Sequence, residues 1–298
     1  MLLLTLVLLT IVAVGSAHVA RQSLLQATLA LHAEEELQRR WLTRSCEEVL
    51  LERAELALDS AAASQGVTDR GLVSVSRELE IGPYRIELYF SDEQAKVNAN
   101  GLLARLGRRP AEAQLATLLR QEDIHHRVSL RPLSELDRSL YGARADWPAL
   151  ASFDQVLSPP PAVDDRIGAH EIGLVPSVTL WGDGRVNVRR ASRAVLELTL
   201  APELGGQEVH RLLALRREEP DEHLGQWLSR LQLSRRQRER LEERLTHASG
   251  CYGLHIRIRG EQRSWERLVI AQRSAVDDED DASRGEWRGW RVLHRRVW

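Results

Sequence analysis

The chain has 298 residues, 43% of them hydrophobic and 28% charged, with a formal net charge of −2. That length allows about two domains of ordinary size, and the near-neutral balance excludes a global field that would draw the chain to nucleic acid or acidic lipid. Two cysteines, Cys46 and Cys251, exclude a disulfide framework and a cysteine metal site, and leave room for one bridge between them if the domain lies outside the cytosol.

Residues Met1 to Ala20 contain no Asp, Glu, Lys or Arg, and Leu2 to Val14 is almost continuously apolar. Twenty helical residues cover roughly 30 Å, the thickness of the hydrocarbon core, so residues 1–20 are expected to be a transmembrane segment. Gly15-Ser16-Ala17 offers small residues for signal-peptide cleavage, but no basic region precedes the apolar run. From Leu24 to Ala63 there is neither proline nor glycine. Leu42, Cys46, Val49, Leu50 and Ala57 recur there at helical spacing, and Glu35/Arg39 and Glu36/Arg40 are i,i+4 pairs in the favourable order. The expectation is a single uncleaved rod of roughly 60 residues, buried in lipid at its start and amphipathic beyond.

After Gly66 the apolar pattern changes to period two. Val73 and Val75 alternate with polar neighbours, as do Tyr84, Ile86, Leu88 and Phe90. The alternation returns at Leu254, Ile256 and Ile258, again over Leu268 to Ala271, and at Trp290 with Val292. The acidic run Asp277 to Asp281 is expected as a loop between the last two strands. The stretch from Ala99 to Ser249 reads as helical. Ser192 caps a helix running to Leu200, ahead of Pro202, and Glu208 to Glu219 forms another, stopped by Pro220. Two more follow, Glu222 to Leu231 and Ser234 to Leu245, while Pro159, Pro160 and Pro161 mark a loop. The plan is α+β: a transmembrane segment (1–20), a helix with the first strands (21–96), a helical insertion (97–250) and closing strands (251–298).

Lys96 is the only lysine, and asparagine occurs only at Asn98, Asn100 and Asn187. These residues fall in two phrases, Asp92-Glu93-Gln94-Ala95-Lys96-Val97-Asn98-Ala99-Asn100 and Gly182-Asp183-Gly184-Arg185-Val186-Asn187-Val188. Each follows a strand-like run and precedes a helix-like one, where asparagine makes turns and caps helices. A catalytic reading is disfavoured, since asparagine is a poor acid or base and no His or Cys nucleophile accompanies it.

The two phrases, in this order after a long N-terminal helix, resemble general secretion pathway protein K, a minor pseudopilin of type II secretion systems. The resemblance extends through Ala151 to Val156, the Ala191-Ser192 helix start, the Arg216/Pro220 region and Ser249-Gly250-Cys251-Tyr252. It implies a pilin-like fold interrupted by a helical domain, an inner-membrane anchor with the domain in the periplasm, and other minor pseudopilins as partners. The site residues that carry it are Asp92, Glu93, Lys96, Asn98, Asn100, Gly182, Asp183, Gly184 and Asn187. It also implies tip position in a short filament: counting from Met1 as the mature start, the fifth residue is the uncharged Thr5, and a first subunit needs no acid there. The family suggests calcium, but the expected aspartate-rich phrase is absent and only Asp146-Trp147 stands in its place, so no cofactor is expected.

Two other classes compete. Residues Gly184 to Arg216 also resemble helix-hairpin-helix modules of competence proteins, which bind DNA phosphates through a glycine hairpin. The hairpin here would be Ala201-Pro202-Glu203-Leu204-Gly205-Gly206, which lacks the Gly-hydrophobic-Gly pattern and carries a glutamate. Arg235, Arg236, Arg238, Arg240 and Arg244 are interleaved with Glu239, Glu242 and Glu243, the pattern of a solvated helix face, so nucleic acid is not an expected partner. For an enzyme there is no nucleophile elbow, His-Glu-x-x-His, phosphate loop or paired cysteine. His125-His126 and His170-Glu171 have no third ligand at suitable spacing, and the acidic run has Ala282 where an EF-hand loop needs glycine.

Overall fold

A computed structural model of the chain describes residues 2–65, 74–124, 127–133, 149–158, 177–220, 222–260, 264–273 and 290–297. Val73, His125-His126, Asp146-Trp147, Pro159 to Pro161, His170-Glu171 and Asp277 to Asp281 lie outside them. The chain falls into two compact units, Met1–Glu48 and Val49–Trp298.

Helix α1 runs Leu2–Glu52 and α2 runs Ala54–Gln65, so the expected rod is interrupted only at Arg53. There the Arg53 N–H reaches back three residues to the Leu50 carbonyl (3.1 Å), tightening one turn before α2 continues. The first part of α1 is long and apolar enough to cross a membrane. Two of its polar side chains bond back within the helix: Thr5 and Thr10 donate to the Leu2 and Leu6 carbonyls, each at 2.8 Å. Farther along, Glu36 takes both Arg39 and Arg40, and Glu35 pairs with His32 instead of Arg39.

In the second unit the buried stripe is Leu51, Ala54, Leu58 and Ala61, while Val49, expected on it, is 52% exposed. Apolar residues surround this part of the helix, so spacing alone does not select which of them face inward.

The sheet has five antiparallel strands in the order β1 (Ser74–Ile81), β2 (Tyr84–Asp92), β9 (Cys251–Arg259), β10 (Ser264–Arg273) and β11 (Trp290–Val297). The two-residue turn between β1 and β2 opens with Gly82 at φ +58, the left-handed region that tight hairpins require. Ile86, Leu88 and Phe90 lie opposite Ile258, Ile256 and Leu254, forming one buried apolar face. On the opposite face Arg257 bridges Glu87 and Glu266 across three strands, and nearer the other end Leu268 and Ile270 turn toward the insertion.

The insertion leaves the sheet after β2 and returns at β9. Among the described residues its helices are α3 (Ala99–Leu106), α4 (Arg108–Gln121), α5 (Arg193–Leu200), α6 (Gly206–Glu218), α7 (Leu224–Arg230) and α8 (Arg235–Arg244). Ser192 and Ser234 cap α5 and α8 through their hydroxyls. Three two-residue ladders tie these helices together: Val97–Asn98 (β3) with Val178–Thr179 (β6), Arg127–Val128 (β4) with Leu157–Ser158 (β5), and Val186–Asn187 (β7) with Leu245–Thr246 (β8). One apolar cluster runs from Leu102, Leu118, Leu196 and Trp227 through to Cys251, Leu268 and Ile270. The insertion and the sheet therefore share a core.

Candidate functional site

The two sequence phrases meet where β2 ends, the insertion begins and β9 starts. Asp92, the last residue of β2, is fully buried and caps a single 3-10 turn over Glu93–Ala95. Its Oδ1 accepts from the Gln94 and Ala95 N–H groups (2.9 and 3.1 Å) and its Oδ2 from Asn187 Nδ2 (2.9 Å) and Arg190 Nη1 (3.1 Å). The Ser249 hydroxyl lies 2.5 Å from Oδ1 and 2.6 Å from Oδ2, and itself accepts from Asn187 Nδ2 at 2.8 Å. Arg190 is 3% exposed and carries the network on to α2, donating to Asp59 Oδ1 (2.5 Å) and the Glu55 carbonyl (3.4 Å). Burial alone would lower the Arg190 pKa, but the Asp92 and Asp59 carboxylates hold it above the usual arginine value. Burial and the Asp92 charge likewise push up the phenol of Tyr252.

A second buried pair lies beside the first. Lys96 Nζ donates to Glu93 Oε1 at 2.7 Å, with both side chains almost fully buried. Ser91 Oγ also reaches Oε1, and Thr179 Oγ1 reaches Oε2, each at 2.5 Å. Gly253 on β9 makes room for this arrangement, since an added Cβ there would stand 2.5 Å from Ser91 Oγ and 2.8 Å from Glu93 Oε1. The glycine is a consequence of close approach within a strand.

The remaining predicted residues fasten the edges. Asn98 caps α3 by accepting from Gly101 N–H (3.0 Å) while its amide donates to the Trp181 and Gly182 carbonyls (3.0 and 3.3 Å). Asn100 donates to the Leu150 and Leu180 carbonyls (2.8 and 2.9 Å) and accepts from Leu150 N–H. Gly182 and Gly184 have φ of +91 and +82, so both turn positions need the left-handed region. Asp183 between them accepts from Gln94 Nε2 at 2.6 Å, and Gln94 Oε1 accepts from Gly250 N–H at 2.6 Å. Eight of the nine predicted motif residues thus take part in the hydrogen bonds of this junction, a polar clasp, and Gly184 contributes only its turn conformation.

Cys46 and Cys251 are both free thiols. Cys251 is fully enclosed in the apolar cluster, with its Cβ and Sγ against Gly182, and burial pushes its thiol pKa well up.

The sequence reading passed over Ser91, Thr179, Arg190, Gly253 and Asp59, and quoted Gln94 and Ser249 within its phrases without marking them as site residues. Among the described residues no group of His, Cys, Asp and Glu is placed to hold a metal ion. Chemically the clasp is three ion pairs, Asp92–Arg190, Arg190–Asp59 and Glu93–Lys96, with neutral donors on the two buried carboxylates. Paired in this way, buried charges contribute geometric specificity more than net stability. The helix-hairpin-helix reading meets a direct obstacle: Glu208 folds over the start of α6, with its carboxylate beside Gly205, where phosphate would have to approach.

No protein-family model matches the chain, and no curated protein matches it. Among solved structures, it is similar to a chain in the GspK–GspI–GspJ complex of the type 2 secretion system from enterotoxigenic Escherichia coli. The match has 18% identity and a TM-score of 0.51, and covers 89% of this chain and 97% of that one. The fold is pilin-like. In this pilin-like fold the clasp sits at the junction where the helical insertion enters and leaves the sheet.

Proposed function

We propose that this chain is a minor pseudopilin of a type II secretion system, seated at the tip of the periplasmic pseudopilus and helping to start its assembly for protein export. The observation that carries the reading is architectural: a membrane-length helix precedes a pilin-like antiparallel sheet in the chain, and a helical insertion departs between β2 and β9. An insertion of this bulk would obstruct a subunit stacked above it, which favours the end of a filament over its shaft. In this role the chain is a scaffold and not an enzyme. It is anchored once in the inner membrane with its C-terminal domain in the periplasm, and the other minor pseudopilins meet it along the Leu24 to Leu58 helix. The clasp serves that role by fixing the insertion rigidly to the sheet.

The test is to assemble pseudopili containing the full-length chain with a label on α6, and to image where the label lies. Label at one end is expected. Label distributed along the shaft refutes the tip assignment, and failure of the full-length chain to co-purify with the other minor pseudopilins refutes the pseudopilin reading itself.

A further inference from the structure

The two edges of the sheet are not equally protected. At one, β11 pairs with β10 through a register shift between Ile270 and Ala271, the kind of irregularity that spoils an edge for further pairing. At the other, β1 is regular. Residues 74–81 contain no proline, glycine or lysine, keep unbroken register along β2, and have no strand beyond them among the described residues. The pair that closes the hairpin turn is Ile81 with Tyr84, and hydrogen-bonded pairs alternate from there. The N–H and C=O groups of Ser76, Glu78 and Glu80 therefore point away from β2, as a template for another strand.

The side chains along this edge differ from face to face. Leu79 lies on the apolar face beside Ile86 of β2, yet Ile86 is fully buried and Leu79 is 42% exposed. Ile81, in the same row, is 46% exposed. The apolar face thus reaches the edge uncovered. On the opposite face Glu78 and Glu80 are both exposed. Arg85 pairs with Glu78, while Glu87 is taken by Arg257 and Arg259. Glu80 forms no ion pair among the described residues.

These charges decide what can be added. A second copy is disfavoured, because the two antiparallel registers that use most of β1 set Arg77 opposite Arg77 or Glu78 opposite Glu78. A strand alternating apolar and basic residues meets no such clash. Its apolar side chains cover Leu79 and Ile81, and its cations face Glu78 and Glu80. We propose that β1 is a docking edge, which takes up an extended segment of alternating apolar and basic residues from a different protein as an added strand of the sheet. Main-chain hydrogen bonds at Ser76, Glu78 and Glu80 hold the segment, and the two side-chain rows select it. The docking edge does not depend on where the chain sits in a filament.

Hydrogen exchange of the full-length protein in a non-ionic detergent tests it, with an octapeptide of alternating valine and lysine as the probe. At about ten times its dissociation constant, the outward amides of residues 74–81 are expected to exchange about tenfold more slowly. An octapeptide of alternating valine and glutamate, and one with its valines and lysines in separate blocks, are expected to protect them little. No protection by the alternating lysine peptide, or equal protection by either control, overturns the proposal. Glu78→Pro removes an N–H that points away from β2, so it spares the existing ladder and blocks docking. Protection that survives it overturns the proposal. Glu80→Lys, at an exposed side chain, leaves the backbone untouched and carries the test if the proline variant does not fold. It is expected to abolish the preference for lysine over glutamate, and an unchanged preference overturns the proposal. A dimer of the protein without peptide, seen in sedimentation and dissolved by either substitution, assigns the edge to a second copy and overturns the partner reading.

Discussion

Replacing Asp92 by asparagine keeps the shape of the clasp and removes its central charge. Asp92 accepts from Gln94 N–H and Ala95 N–H through one oxygen and from Asn187 and Arg190 through the other, with Ser249 across both. Whichever way the new amide turns, its NH2 group faces two donors. Placed at Oδ1 it opposes the 3-10 turn, and placed at Oδ2 it opposes Asn187 and Arg190. Breaking one side of a buried ion pair costs about 3–5 kcal/mol. Arg190 keeps its 2.5 Å bond to Asp59, which puts Asp92→Asn near the lower end, about 3 kcal/mol. In a fragment lacking residues 1–20, urea unfolding followed by fluorescence of the buried Trp227 reads this directly. With a slope of about 3 kcal/mol per molar, the midpoint falls by about 1 M. Asp59→Asn, at a side chain 38% exposed, is expected to cost no more than ~1 kcal/mol. Equal losses for the two variants, or a loss under ~1 kcal/mol for Asp92→Asn, would refute the view that Asp92 is the centre of the network.

Gly253→Ala drives a Cβ into Ser91 Oγ and Glu93 Oε1, and is expected to lower stability by about 1–3 kcal/mol by the same unfolding assay. Asn98→Ala removes the cap of α3 and two carbonyl contacts, with an expected loss of about 0.5–2 kcal/mol and an unchanged far-UV spectrum. Thiol titration of denatured, non-reduced protein is expected to count two free thiols, and Cys251, fully buried with its pKa pushed up, stays unreactive until unfolding; a count of zero shows a bridge. His255 and His247 have pKa values held below the usual histidine value, first by burial. The unfolded chain therefore takes up protons that the folded chain refuses. Stability is full above about pH 6.5 and is lost as pH falls below it, and His255→Gln should flatten the dependence of the urea midpoint on pH in that window.

The strands were legible because a half-buried sheet writes period two into the chain: Ile86, Leu88 and Phe90 are buried on one face, as their alternation predicts. Helix starts were legible where a hydroxyl or an asparagine caps them, as at Asn98, Ser192 and Ser234. The scarcity of lysine and asparagine drew attention to the clasp phrases, and the structure brings them together. Their partners left no such mark. Arg190 is one arginine among many, and its bond to Asp92 joins residues 98 apart. Ser249 meets Asp92 across 157 residues, a contact that no local pattern encodes. Gly253 was the exception: a glycine inside a strand pattern already signals close approach of something else. The inward face of the helix from residue 49 onward was hidden for the opposite reason, because leucine and alanine lie all round it and Val49 had as good a claim as Leu51.

Asp92 pairs directly with Tyr252 in the sheet, so topologically the whole insertion is the loop of a single β-hairpin. Closing a loop of roughly 160 residues costs only about 4 kcal/mol more than closing one of two residues, because the entropy grows with the logarithm of length. The thermodynamic burden on the sheet is therefore light, but the kinetic burden is not. The β2–β9 ladder cannot form until the chain ends of the insertion have met, whereas α3 to α8 need only nearby sequence to begin folding. Folding is expected to proceed from the insertion outward, with the β2–β9 ladder zipping last. A nascent chain would then expose an unpaired β2 edge during that interval, the stage at which it is most open to wrong strand partners.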